Sequence, residues 1–339
     1  MEHTPSSLGL LFGPPVGTRV QEWLLVDCRR HGAYGVVYRA VRVGHESEGD
    51  VALKMALFPW EPRAMREVGL LSLVHHPCVP RLLGHGFWRH PSGAFFPFVV
   101  MEWVEGTPLY EWAREHNPSN GEVLQVLAQL ARALEATHAA CAVHRDVKGD
   151  NVLVRHSDGR AVLTDFGAGT YPCAARLTWQ PLPPGTPDYQ SPEAGLFERR
   201  ALPSQDAHYP AGPADDVYAL GVTAYRLVTG EYPVCAALRQ DAQGVWQLEE
   251  RPLASPRQLN PRVAPQLNEW IVRMPNAKGR CPGPKQIPLN GGCWVEVVPS
   301  KDAEECEKNG LVFIKERCYA PAMGSRRKPP PTSAPPDFR

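Results

Sequence analysis

The chain has 339 residues, 43% hydrophobic and 21% charged, which is enough apolar content to bury a sizeable core and excludes wholesale disorder. Thirty-six Lys and Arg balance 36 Asp and Glu, so the formal net charge is zero and bulk attraction to nucleic acid or an anionic membrane is not supported. No apolar run reaches the ~18 residues of a membrane span, and the Met1–Ser7 stretch lacks the basic and apolar segments of a signal peptide. The expectation is a cytoplasmic protein with neither nucleic acid nor membrane as partner, its oligomeric state left open.

Residues 1–18, rich in Pro, Gly and Ser, read as a flexible arm. Trp23–Val26 and Val36–Val43 are β-rich runs around a turn, and Val51–Leu57 is a third strand. Pro62–Val74 places Met65, Val68 and Leu71 at helical spacing. Phe95–Val104 is another strand. Beyond it helices dominate. Glu122–Ala140 carries Val123, Val126, Leu127, Leu130 and Leu134 on one face. Val152–Val154 and Ala161–Leu163 form a hairpin around Ser157-Asp158-Gly159. Pro213–Val228 is an apolar helix, and Leu267–Met274 begins one that stops at Pro275. The fold class is therefore α+β and bilobal. A small β-rich lobe (19–101) joins a larger helical lobe (107–274) through a connection at 102–106, and the cleft between them is the natural place for a ligand.

Nine cysteines are present, of which Cys28, Cys78, Cys141, Cys173 and Cys235 are scattered like ordinary thiols of a reducing compartment. The other four fall in a module at 275–323 with an internal repeat: Cys281-x11-Cys293-Trp294 is echoed by Cys306-x11-Cys318-Tyr319. Each half reads as a β-hairpin with its cysteines facing across it. Free thiols are the preferred reading, a disulfide-linked module the second and a four-cysteine zinc site the third, because Cys-x2-Cys knuckles are absent. Residues 324–339, with five prolines, have the composition of a disordered tail.

The most informative segment is His144-Arg-Asp146-Val-Lys148-Gly-Asp-Asn151, followed fourteen residues later by Asp165-Phe166-Gly167. Phosphoryl transfer needs a carboxylate to orient a hydroxyl, a cation on the transferred group and two ligands for magnesium. Asp146, Lys148, Asn151 and Asp165 supply that set in order. A polar surface loop is the bland alternative, and the spacing argues against it. Upstream, Arg30-His-Gly32-Ala-Tyr-Gly35-Val-Val37 has the form of a phosphate-cradling glycine turn with Arg30 in place of the first glycine. By itself it would be a hairpin turn. Lys54, inside the apolar run Val51–Leu57, needs a carboxylate partner.

Together, in this order, these motifs resemble the eukaryotic-like serine/threonine protein kinases of bacteria over residues 20–274. The resemblance implies an ATP- and magnesium-dependent transferase acting on Ser and Thr hydroxyls of protein substrates. It implies that Lys54 holds the α- and β-phosphates and pairs with Glu67. Gly32 and Gly35 cradle phosphate, and Val37, Ala52 and Leu153 sandwich the adenine. Glu102 and Val104 bond the adenine through their backbone, with Met101 behind it. Asp146 orients the substrate hydroxyl, Lys148 neutralises the phosphoryl group, and Asn151 and Asp165 bind magnesium. Lys148, two places after the aspartate, marks the serine/threonine variant. Gly185-Thr186-Pro187…Ser191-Pro192-Glu193 resembles the substrate-docking segment, in which Thr186 bonds Asp146 and Lys148. Asp216 accepts backbone N–H bonds near His144. Arg145 pairs with a phosphate on the loop between Phe166 and Pro187, with Thr178 as the expected autophosphorylation site.

Two departures stand out. Arg30 implies a weaker grip on ATP. Pro275-Asn276-Ala277-Lys278-Gly279-Arg280 follows where further helix is expected, so the lobe reads as truncated and Glu193 as a buried carboxylate lacking its arginine. The rival reading is a pseudokinase, a binding scaffold with impaired turnover. A small-molecule phosphotransferase is the weaker rival, since such enzymes lack the docking segment.

Overall fold

The structure is a computed structural model that describes residues 13–177, 182–201 and 207–273, together with the backbone of strands at 286–289, 292–298, 312–314 and 317–321. The chain divides into two compact units, Met1–Pro275 and Asn276–Arg339.

The first unit opens with an antiparallel sheet of six strands. These are β1 (Arg19–Val20), β2 (Trp23–His31), β3 (Gly35–Arg42), β4 (Val51–Ala56), β5 (Leu82–Arg89) and β6 (Phe95–Glu102), in the spatial order β1-β2-β3-β4-β6-β5. Side-chain alternation gives this sheet two different faces. Leu25, Val36, Tyr38, Leu53, Met55 and Phe98 close a core on one side. Ala52 and Val99 point to the other, into the larger core built with α1 (Pro62–Leu73). Lys54 shares the parity of Ala52 on β4, opposite Val37 and Val99, so the pleat presents it to the α1 side of the sheet. Pro62 at the first turn suits the start of α1, where its missing N–H costs nothing.

After β7 (Gly106–Pro108) come α2 (Leu109–His116) and α3 (Asn120–Ala139). Ser119 and Glu122 form a reciprocal capping box at the start of α3. Val123, Val126, Leu127, Leu130 and Leu134 are all buried, each contributing about 1.5–3 kcal/mol of apolar transfer. β8 (Val152–Arg155) and β9 (Ala161–Leu163) form the expected hairpin. Gly159 at its turn takes φ +67°, a conformation costly for residues with a Cβ. α4 (Pro192–Ala201), α5 (Pro213–Thr229), the hairpin β10 (Ala236–Gln240)–β11 (Trp246–Glu250), α6 (Pro256–Leu259) and α7 (Pro265–Arg273) complete the unit. α5 ends at Gly230 with φ +79°.

Several elements differ from the sequence reading. β2 runs to His31, five residues past Val26, so Arg30 is a strand residue and only the following residues turn. Sequence periodicity did not reveal β5, α2, α4 or the β10–β11 hairpin. β5 lies at the sheet edge with no fully buried side chain, and its Gly84 and Gly86 break the apolar alternation. Glu193 is half-buried rather than enclosed, so the penalty expected for a buried lone carboxylate does not apply. Arg280, the deletion after Met274 and the Pro-rich tail lie outside the described residues, as do most of the N-terminal arm, Cys281 and Cys306.

In the second unit, β12 (Gln286–Leu289) pairs with β13 (Gly292–Val298), and β14 (Val312–Ile314) with β15 (Arg317–Pro321). Each half of the cysteine repeat thus contains a hairpin, and β13 and β15 join in the order β12-β13-β15-β14. Cys293 stands opposite Pro288, and Cys318 opposite Phe313 and Val298, so neither faces a cysteine across its hairpin, contrary to the sequence reading.

Candidate active site

A cavity of about 870 Å³ lies within the first unit. Every residue assigned above to catalysis, nucleotide or metal lines it. Gly32, Gly35 and Val37 come from the β2–β3 turn and β3, and Ala52 and Lys54 from β4. Glu67 comes from α1. Met101, Glu102 and Val104 come from the end of β6 and the segment after it. Asp146, Lys148, Asn151 and Leu153 come from the loop entering β8, Asp165 from the end of β9, and Thr186 from the segment before α4. At Gly35, the first residue of β3, a Cβ would lie 3.0 Å from the Met55 carbonyl oxygen of β4, so the close approach of the two strands favours glycine.

Lys54 is the junction between strand, helix and β9. Its Nζ donates to Glu67 Oε2 and to Asp165 Oδ1, both at 2.7 Å. Enclosure works against its charge, but the carboxylates of Asp165 and Glu67 hold the ammonium well above the usual lysine range. Burial pushes Glu67 up, while Lys54 and the Phe166 N–H, donating to Glu67 Oε1 at 3.3 Å, pull it back. Burial likewise opposes ionisation of Asp165. The Lys54 ammonium outweighs it, with Lys148 adding to the effect, and keeps Asp165 well below the ordinary carboxylate range. Asp165 also sits in the left-handed region, φ +63°, one of the strained conformations that cluster at functional sites.

The floor of the cleft is the 144–151 loop. His144 is fully buried. Its Nε2 donates to the Thr164 carbonyl at 3.1 Å and its Nδ1 accepts from the Asp146 N–H at 3.2 Å, a pattern that sets one neutral tautomer. Asp216, in the first turn of α5 and 1% exposed, accepts the N–H groups of His144 at 2.9 Å and Arg145 at 2.8 Å. Arg145 takes φ +68°, and this pair of bonds holds that kink in place. Gly149 allows the loop to lie on Tyr110, whose ring a Cβ would meet at 2.4 Å.

Both oxygens of Asp146 are engaged. Oδ1 accepts from Thr186 Oγ1 at 2.8 Å. Oδ2 accepts from Asn151 Nδ2 at 2.9 Å and pairs with Lys148 Nζ at 2.9 Å. Lys148 also donates to Thr186 Oγ1 at 2.6 Å. A carboxylate fixed by three neighbours is oriented before any substrate arrives, which is what a group aimed at a reacting hydroxyl requires.

Sequence reasoning missed a second tier of residues. Arg63 places its guanidinium 3.3 Å from the Tyr34 ring centroid, joining the first turn of α1 to the glycine turn. Arg226 of α5 lies over Tyr110 and Tyr232, donates its Nη1 to the Tyr189 hydroxyl at 3.0 Å, and stands 3.9 Å from the Asp150 carboxylate. Tyr34 lies inside the glycine motif and could have been singled out. No local pattern marks Arg226. Arg145 is pushed down to about 10 by burial and by the neighbouring Arg66 guanidinium, against the pull of Asp216 and Asp215. Its Nε has no hydrogen-bond partner among the described residues. Thr178, the expected modification site, lies outside them.

A metal at this site has a fitting donor set. Asp165 offers a carboxylate about half exposed to the cleft, and Asn151, with its Nδ2 committed to Asp146, offers its amide oxygen. Among the described residues no three His, Cys, Asp or Glu side chains cluster to hold a metal alone. Two oxygen donors completed by phosphate oxygens is the arrangement that magnesium favours.

Comparison with known proteins adds an independent line. The family described as "Protein kinase domain" matches residues 31–277. The chain is 31% identical over 327 residues to the serine/threonine-protein kinase PknA of Mycobacterium tuberculosis, covering 88% of this chain and 72% of that protein. It is 30% identical over 274 residues to the serine/threonine-protein kinase Pkn1 of Myxococcus xanthus, covering 77% of this chain and 36% of that protein. It is also 32% identical over 214 residues to the serine/threonine-protein kinase pkn2 of Myxococcus xanthus, covering 62% and 23%.

Proposed function

The chain belongs to the protein kinase family, and from that premise we propose how this serine/threonine kinase uses its cleft: it binds ATP with magnesium and transfers the γ-phosphoryl group to hydroxyls of protein substrates. The observation that carries this reading is the convergence of Lys54, Glu67, Asp146, Asn151 and Asp165, drawn from four separate segments, on one cavity.

Lys54, held by Glu67, positions the α- and β-phosphates. Val37, Ala52 and Leu153 enclose the base, and the backbone of Glu102 and Val104 bonds its edge. Asp165 and Asn151 hold the metal, which when bound supplies positive charge for the phosphate oxygens. Asp146 orients the substrate hydroxyl and receives its proton as the new P–O bond forms and the bond from the γ-phosphorus to the β–γ bridging oxygen breaks, releasing ADP. Lys148, bridging Asp146 and Thr186, offsets the charge on the transferred group. Nearly all of this is positioning and electrostatics on a framework already oriented.

A polypeptide substrate is favoured by a second hollow of about 340 Å³, lined by Pro187, Gln190, Pro192, Tyr218, Val234 and Leu238 among others. Pro187 and Gln190 line both cavities, so a chain presenting its hydroxyl to Asp146 has an apolar shelf beside it. The complete catalytic set weighs against the scaffold reading.

The test is incubation of the full chain with γ-labelled ATP, magnesium and a generic basic protein, followed by phosphoamino-acid analysis. Label in phosphoserine and phosphothreonine, lost on chelation of magnesium, is expected. Absence of label at every magnesium concentration would overturn the proposal in favour of a scaffold.

A further inference from the structure

Arg30 stands where the family's first turn glycine is expected, and the structure gives this side chain a role of its own. It sits near the end of β2 opposite Val37, just past a register shift between Cys28 and Arg30. Its Nη1 donates to the carbonyl oxygen of Asp150 at 2.8 Å, across the cleft and 120 residues away in sequence. Asp150 is the residue before Asn151, and its carboxylate is 3.9 Å from Arg226. The preceding residue, Arg29, lies with its guanidinium 5.6 Å from the ring centroid of Trp103, in the connection after β6. Arg29, Arg30 and Trp103 all line the cavity. Two consecutive residues of the roof are thus tied to the connection on one side and to the floor on the other. The residues that follow, His31–Tyr34, are exposed.

We propose that Arg30, seconded by Arg29, is a positioning residue that straps the nucleotide turn across the mouth of the cleft and sets the rate at which nucleotide enters and leaves. The inference rests on the reading of the cleft as the nucleotide site. The bond joins protein to protein, not protein to nucleotide. It has to open for passage in either direction, so its removal lowers the barrier both ways and leaves affinity nearly unchanged. A single hydrogen bond at an exposed position corresponds to a rate factor of about three to ten. An arginine that instead gripped phosphate directly would affect exit alone and weaken affinity.

Stopped-flow binding of a fluorescent ADP analogue with magnesium to the full chain separates these cases. In Arg30→Ala, association and dissociation rate constants both rise by a common factor of about three to ten, with Kd within about twofold of wild type. Arg30→Lys stays near wild type, because one donor to one carbonyl is all that the geometry uses. Arg30 is exposed, so neither substitution threatens the fold. Unchanged rates in Arg30→Ala overturn the strap. So does a rise in dissociation alone with a matching loss of affinity. Failure of the wild type itself to bind the analogue withdraws the assignment of the cleft, a result distinct from either.

Discussion

The floor and the roof of the cleft are built on opposite principles. His144, Val147, Gly149 and Asn151 of the floor are buried, and Asp216 beneath them is 1% exposed and spans two backbone N–H groups. The roof turn His31–Tyr34 is exposed and is held by a few contacts of Arg30, Tyr34 and its own backbone. Groups that act on a transition state gain from being fixed beforehand. A cover that must admit and release nucleotide belongs to the low-stability end of the structure. The difference teaches that floor substitutions cost stability and turnover together, whereas roof substitutions alter rates of passage.

The sharpest challenge to that contrast is Lys54, which joins roof strand to floor. Lys54→Met leaves the carboxylates of Glu67 and Asp165 facing each other without their cation. Phosphoryl transfer is expected to fall by about 10²–10³, measured under single-turnover conditions. A fall of less than tenfold would place the transfer chemistry elsewhere. Next comes Asp216→Ala, which strips the acceptor from the buried His144 N–H and the half-buried Arg145 N–H and removes the partner of His138. Unfolding free energy falls by about 3 kcal/mol in denaturant titration, with loss of turnover. If stability is unchanged, the floor is not held as described.

The Lys54–Asp165 pair also sets a pH signature. Asp165 titrates below its unfolded value of about 3.9 and Lys54 above its unfolded value of about 10.4. The contribution of Asp165 is complete above about pH 4 and is lost as pH falls further. That of Lys54 is complete below about pH 10 and is lost as pH rises through its shifted value. The stability difference between wild type and Lys54→Met should therefore be smallest at low pH, where the two carboxylates left facing each other take up protons in the variant, grow as they ionise, and shrink again above about pH 10. A difference independent of pH across the acidic range would contradict the ion pairing. The smallest effect is expected at the roof, where Tyr34→Leu removes the partner of Arg63 and shifts the thermal midpoint by no more than about 0.5–1 kcal/mol equivalent. A loss as large as that of Asp216→Ala would erase the contrast.

Much of this organisation was legible in the sequence, for identifiable reasons. Fixed spacing carries the catalytic loop. Asp146, Asn151 and Asp165 lie close along the chain, and the β8–β9 hairpin between Asn151 and Asp165 has a plain turn signal in Gly159. The parity of β4 put Lys54 on the face opposite Leu53, which is what brings it to Glu67. What remained hidden depends on contacts between distant segments. The bond from Arg30 to the Asp150 carbonyl uses a backbone acceptor that no residue pattern marks. Arg226 reaches Tyr110, Tyr189 and Tyr232 from three other segments. The β10–β11 hairpin is short and half-exposed, so its periodicity is faint.

The central claim is that Asp146 is the carboxylate that directs the hydroxyl, on a site whose binding of ATP does not depend on it. The most direct test measures ATP affinity and single-turnover phosphoryl transfer on the same preparations of wild type and Asp146→Asn. The account predicts ATP affinity within about threefold of wild type and transfer slowed by about 10²–10⁴. Equal transfer by the two proteins would contradict it.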